Sequence, residues 1–116
     1  MKVVIVGAGF TGVQLAKVLI NEKNNVTLID NNEEITRHIA DQLDCRVLTQ
    51  DGNNLENLED AGIAKADALV CLTDSDEVNM ITCMMAKNNG IKHTVARIRN
   101  VDYAINSSEM LNSEMK

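Results

Sequence analysis

At 116 residues the chain has room for one core but not for a further substrate domain of ordinary size, so residues 1–116 are expected to form a single domain. A formal charge of −6 excludes a nucleic-acid binder that works through a basic face. With 45% hydrophobic residues but no apolar run of bilayer length, neither a disordered chain nor a membrane-inserted one is expected.

The first strand is the apolar run Lys2 to Val6, which leads directly into Gly7-Ala8-Gly9-Phe10-Thr11-Gly12 without a cleavage-like site, so no signal peptide is expected. A helix starting near Phe10 or Thr11 follows. Gly12, Leu15, Ala16, Leu19 and Ile20 recur at helical spacing and place Gly12 on the stripe that must face a sheet. Val26 to Asp30 is a second strand ending in a carboxylate, eighteen positions past Gly12. Strand, glycine turn, helix and acid-terminated strand together form a dinucleotide-binding fingerprint. Gly7 permits the sharp turn, Gly9 lets a pyrophosphate approach the backbone, and Gly12 allows close helix packing. The unpaired amides at the helix start favour an anion. Asp30 would accept from ribose hydroxyls and repel a 2′-phosphate, which favours NAD or another adenosine ligand over NADP.

Asn31 is expected to cap a second helix, with Glu34 three residues on and Thr36, Ile39, Ala40 and Leu43 as its stripe. Arg46 to Thr49 reads as a less apolar edge strand, and Gln50-Asp51-Gly52-Asn53 as a tight turn at its end. Leu55 and Leu58 mark a short helix that Gly62 would end as a left-handed cap. Ala68 to Leu72, apolar at every position, has the pattern of a central parallel strand. Asp74 and Glu77 are spaced as a capping box for a helix running through Val78 to Asn88. Its apolar residues wrap nearly all round, with Val78, Ile81 and Met85 expected inward and Met80 and Met84 outward, as for a subunit contact. His93 to Ile98 is the fifth strand, followed by a weak helix around Tyr103 to Leu111 and a polar tail from about residue 104.

Five strands separated by helices imply an α/β Rossmann-type doubly wound parallel sheet in the order 3-2-1-4-5, with a sixth strand missing or lying past Lys116. Ligands of such sheets lie at the carboxyl ends of the strands, near the switch between the first and fourth. The residues gathered there are Gly7, Ala8, Gly9, Phe10, Thr11 and Gly12 from the first turn, with Asp30 and Asn31 from the second. Asp51 and Gly52 join from the third strand end, Thr73 and Asp74 from the fourth and Arg97 from the fifth. Asp51 either accepts from an adenine amino group or caps its own turn. Thr73 and Asp74 are either ligand contacts or helix-cap residues. Arg97 and Arg99, which share one strand face by alternation, either pair with surplus acids or contact phosphate.

Phe10 and Tyr103 are the only aromatics, so the core must be aliphatic and methionine-filled, and no aromatic platform for a nucleobase is expected. Cys45, Cys71 and Cys83 are odd in number and lack zinc spacing, which fits buried thiols in a reducing cytoplasm. There is no Tyr-x-x-x-Lys arrangement, and His38 and His93 lie away from the crevice, so no catalytic residue and no metal site are expected.

Five segments carry a family resemblance: Lys2 to Gly9, the Asp30 strand end, Asp51-Gly52, Thr73 to Met80, and Ala96-Arg97-Ile98-Arg99-Asn100. Together they resemble the amino-terminal NAD-binding RCK domain of TrkA-type regulatory subunits of Trk and Ktr potassium uptake systems. The resemblance implies a non-enzymatic, cytoplasmic regulatory domain that binds NAD(H), or alternatively ATP or ADP. It further implies a homo-oligomer, a dimer building a ring, that gates a membrane potassium transporter or channel at the inner face of the cell membrane. The glycines would then hold phosphates, Asp30 the ribose, and Asp51, Thr73 and Asp74 the adenosine surroundings, with Arg97 facing phosphates or a neighbouring subunit. Relatives with arginine inside the glycine string differ from this chain, which has Phe10 and Thr11 there. The alternative reading is the dinucleotide-binding domain of an NAD-dependent oxidoreductase without its substrate domain.

Overall fold

The computed structural model describes residues 1–100. The expected helix at Tyr103 to Leu111, the polar tail and any sixth strand lie outside the described residues. Within them, β1 (Lys2–Val6), β2 (Asn25–Asp30), β3 (Arg46–Thr49), β4 (Ala68–Cys71) and β5 (His93–Ala96) form one parallel sheet in the order β3-β2-β1-β4-β5. The expected topology is the observed one. β1 is the central strand, with Val3 opposite Val26 on one side and Ala68 on the other.

Alternation along the strands sends successive side chains to opposite faces. Val4, Val6, Ile29, Leu69 and Cys71 face α3 (Leu55–Asp60) and α4 (Asp76–Asn88), where Leu58, Cys83 and Ala86 complete one cluster. Val3, Ile5, Val26 and Leu28 face α1 (Phe10–Asn21) and α2 (Glu33–Ala40), where Ala16 and Ile39 complete the other. Val4, Ile5, Leu28, Ile29 and Leu69 are fully buried, each contributing roughly 1.5–3 kcal/mol. All five come from the β1, β2 and β4 runs, so the rigid centre of the sheet is also the base of the strand-end crevice.

Several local expectations are corrected. Asn32, not Asn31, caps α2 by accepting from Glu34 N at 3.0 Å and Ile35 N at 3.3 Å. Asn31 instead donates to Asp51 Oδ1 at 3.0 Å. Ser75, not Asp74, caps α4 by accepting from Val78 N at 3.2 Å. The cap shifts because Thr73 and Ser75 form a hydroxyl-closed turn, with Ser75 N donating to Thr73 Oγ1 at 3.2 Å. β4 ends at Cys71 and β5 at Ala96, shorter than read, although Leu72 N still bonds Val6 O and Arg97 N still bonds Cys71 O. Gly62 has the expected left-handed φ of 86° with Ile63 buried behind it.

The inward stripe of α4 is also corrected. Asn79, Thr82, Cys83 and Ala86 are buried, whereas Ile81 is 52% exposed and Met80 and Met84 are only half-buried. Two inward residues are polar because they hold loops rather than fill space, and the helix is turned by about one residue, or 100°, from the purely apolar reading. Ile81, not Met80 or Met84, is the outward apolar residue.

Candidate functional site

The glycine turn is built by close approach. Gly7 adopts φ 110°, and a Cβ there would sit 2.8 Å from the Leu72 carbonyl, so β1 can turn beside β4 only with glycine at this position. A Cβ on Gly12 would collide with the Gly7 carbonyl oxygen, which explains why the helix stripe begins with glycine. Gly9 is different: a Cβ there would meet nothing within 4 Å, so the turn presents bare backbone to open space. Gly9 is also the N-cap of α1 and supplies no side-chain cap, whereas Asn32, Asn54 and Ser75 cap α2, α3 and α4. The first-turn amides of α1 therefore keep the donors and partial positive charge that suit a phosphate.

Asp30 fastens this turn to the end of β2. Its Oδ2 accepts from Ala8 N at 2.8 Å and its Oδ1 from Asn32 N at 2.8 Å. Each carboxylate oxygen has a second acceptor direction available to a sugar hydroxyl. Asp30 is thus a structural tie as well as a candidate ribose contact, a role its spacing alone did not reveal.

The crevice above the strand ends is a cavity of about 610 Å³, within the usual range for a small-molecule site. It is lined by Gly7, Gly9, Phe10, Thr11 and Gly12, by Asp30 and Asn31, and by Asp51 and Gly52. Thr73, Asp74, Arg97 and Arg99 line its far side, so twelve of the thirteen expected site residues, together with Arg99, share one cavity. The thirteenth, Ala8, lines the adjoining shallow hollow between α1 and α2 and is buried against Asp30 through its backbone. The Asp51 carboxylate accepts from Asn31 Nδ2 rather than from a backbone amide of its own turn, and α3 is capped by Asn54 through Asn57 N at 3.2 Å. The same exposed carboxylate faces the crevice with Asn31. Phe10 is 81% exposed and lines both cavities. His38 lines only the shallow hollow, and His93 lies at the opposite, amino-terminal end of β5.

Two residues missed by sequence reasoning hold the crevice walls. Asn79 is fully buried, donates to Thr73 O at 3.1 Å and Arg97 O at 2.9 Å, and accepts from Thr73 N at 3.0 Å and Thr73 Oγ1 at 2.7 Å. Thr82, one turn further along α4, donates to Gly52 O at 3.2 Å. A Cβ on Gly52 would run into Val6, so this loop lies directly on β1. The signal was available in Asn79 and Thr82 as polar residues at i and i+3 within the otherwise apolar stretch from Val78 to Ala86. Gln50 was also missed; it lines the crevice while its Oε1 is buried without a hydrogen-bond partner among the described residues.

Arg97 Nη2 donates to Leu72 O at 2.8 Å and Thr73 O at 2.9 Å, which pins its guanidinium at the carboxyl end of β4. Both Arg97 and Arg99 reach Asp74, so the acid-pairing alternative is realised in the structure. Asp76 accepts from Arg99 N at 3.1 Å and Asn100 N at 2.9 Å, bonds that hold its carboxyl below the usual carboxylate range. The hydrogen bond between Cys71 and Cys83, reinforced by burial, pushes the Cys71 thiol up and lowers that of Cys83, and burial with the nearby Asp44 charge raises Cys45.

Residues 3–112 match the TrkA-N domain family model. The chain belongs to the TrkA-N domain family. It is 38% identical over 103 residues to a Trk system potassium uptake protein TrkA homolog of Methanothermobacter thermautotrophicus, covering 89% of this chain and 48% of that protein. It is 38% identical over 115 residues to the Trk system potassium uptake protein TrkA of Haemophilus influenzae, covering 98% of this chain and 25% of that protein. The chain thus spans between a quarter and a half of these relatives. Among solved structures, the AMP-bound Kef CTD of Shewanella denitrificans superposes with TM-score 0.69 at 21% identity, over 82% of this chain and 57% of that one. The NAD(P)-binding domain of an exopolyphosphatase-related protein from Archaeoglobus fulgidus superposes with TM-score 0.65 at 14% identity, over 98% of both chains. These likenesses place the TrkA-N domain among Rossmann-type folds. Among the described residues no helix is long and apolar enough to cross a membrane.

Proposed function

We propose that this TrkA-N domain binds an adenine dinucleotide, NAD(H), or alternatively ATP or ADP, and acts as a cytoplasmic regulatory domain of potassium uptake rather than as an enzyme. The observation that carries the reading is the Gly9 turn: bare backbone and an uncapped helix start open into a 610 Å³ crevice, beside a carboxylate at the end of β2. Phosphates would rest on the first-turn amides of α1, and Asp30 would accept from ribose hydroxyls while retaining Ala8 N. Asp51 and Asn31 would face the adenine end. Arg97 and Arg99 would face the remaining phosphate.

The names of the relatives support a potassium transporter as partner. In this reading the domain assembles with further copies, and nucleotide binding biases their arrangement, which the transporter reads at the inner face of the membrane. Calorimetric titration of NADH, NAD, NADPH, ADP and ATP tests the binding step. Saturable binding with NADPH weaker than NADH is expected, because a 2′-phosphate would meet Asp30. Absence of binding by all five would overturn the reading, and equal affinity for NADH and NADPH would overturn the role of Asp30 in selectivity.

A further inference from the structure

We propose that Asp74 is a built-in competitor, a carboxylate that occupies the guanidinium seat which a phosphate-bearing ligand of the crevice would take. The inference rests on the nucleotide reading of the same crevice and adds a residue that opposes binding. Asp74 Oδ1 lies 3.3 Å from Arg99 Nη2 and 3.7 Å from Arg97 Nη2, so one oxygen sits between two cations. The Arg97 guanidinium is fixed from behind, and Arg99 is tethered through its backbone. Arg97 is held by the Leu72 and Thr73 carbonyls with only 27% of its side chain exposed, and the backbone at Arg99 is held by Asp76.

Among the described residues the Asp74 carboxylate has no other partner. Its side chain is 95% exposed, and the α4 cap that its position suggested is made by Ser75. Its described contacts are the two guanidiniums, at the rim of the crevice that both arginines line. An exposed ion pair of this kind is weak and easily exchanged. A phosphate carries more charge and offers several oxygens to a guanidinium fork, so it would win the exchange. Asp74 would then be left beside a like charge and would have to swing away. Binding of a phosphorylated ligand therefore carries a standing penalty that an uncharged nucleoside does not meet.

The test is calorimetric titration of the full chain and its Asp74→Asn variant with ADP and with adenosine. ADP affinity is expected to rise about three- to tenfold in Asp74→Asn, the range of an exposed charge contact plus relieved repulsion, with adenosine affinity unchanged. In an Arg99→Gln background the gain from Asp74→Asn should shrink towards the residual share of Arg97. If the wild type binds ADP but Asp74→Asn binds it equally or more weakly, Asp74 is no competitor and the nucleotide reading still stands. An equal gain for adenosine would also overturn the proposal, since it would make Asp74 a steric obstacle. If neither chain binds ADP or adenosine, the inference falls, while the nucleotide reading is decided separately by the titrations with NADH and NAD.

Discussion

Replacing Asn79 by alanine removes a side chain that makes hydrogen bonds to Thr73 N, Thr73 Oγ1, Thr73 O and Arg97 O from a fully buried position. Each such bond contributes about 0.5–1.5 kcal/mol net, and a part-buried amide left without an acceptor costs about 1–3 kcal/mol. Allowing for partial replacement by water, we expect a loss of about 3–4 kcal/mol, a large share of the roughly 5–15 kcal/mol of a typical domain. Equilibrium urea unfolding should show a lower midpoint at unchanged slope. A loss below about 1 kcal/mol would refute the assignment of Asn79 as the tie between β4, β5 and α4. Asn79→Asp gives a sharper test, because a carboxylate keeps the two acceptor bonds but points an oxygen at the Thr73 and Arg97 carbonyls. Burial and this repulsion would raise its folded pKa above the unfolded value of about 3.9. Its penalty is therefore present at neutral pH and relieved as pH falls through the folded pKa, so Asn79→Asp should recover relative to wild type on acidification while Asn79→Ala should not.

Three further outcomes follow from the same geometry. Asp30→Ala should weaken NADH binding by about 1.5–3 kcal/mol, roughly ten- to 150-fold, and should also lower stability in urea, since Ala8 N loses a charged acceptor; unchanged affinity by calorimetry would remove Asp30 from the site. The contribution of Asp76 is complete above its unfolded pKa of about 4 and is lost as pH falls through its lower folded value, so after correction for intrinsic rates the Arg99 and Asn100 amides should lose hydrogen-exchange protection below that range; constant protection would contradict the tie. Ile81→Glu should leave the fold intact and weaken any self-association seen by light scattering, since Ile81 is the exposed apolar residue of α4; an unchanged oligomer would place the contact elsewhere.

The sheet order and the crevice were legible because each depends on a strong local pattern. The continuous apolar runs of β1 and β4 mark strands buried on both faces, and the glycine string, Asp30 and the strand-end acids fall at one edge once the winding is known. Less legible were features decided by a single residue of register. Asn31 and Asn32 are chemically equal as caps, and only the bond from Asn31 to Asp51 decides which one opens α2. Asp74 and Ser75 pose the same choice, settled by the turn that Thr73 closes. In α4 an apolar count favoured Ile81 inward. A buried asparagine with every polar atom satisfied outweighs that preference, because its partners are backbone groups of distant loops that periodicity cannot reveal.

The position of α4 gives those loops a common support. Its inner side carries Asn79 and Thr82, which hold the β4 end, the β5 end and the Gly52 turn, while Ile81 between them points outward from the same two turns of helix. A helix of 13 residues with an intact cap moves more readily as one body than by bending. A ligand that draws Thr73 or Gly52 inward therefore acts on α4 through hydrogen bonds that are buried or part-buried and costly to leave unmade. The same displacement carries Ile81 with it. Coupling between crevice and outer face then requires no chain of intermediate side chains, since the two sites share one rigid element and differ only in which side of it they touch. Asn79→Ala, by cutting this tie, should reduce any effect of nucleotide on self-association more than Ile81-independent losses in affinity would explain. Measuring association at saturating nucleotide separates the two, and an undiminished nucleotide effect in Asn79→Ala would show that the coupling does not pass through α4.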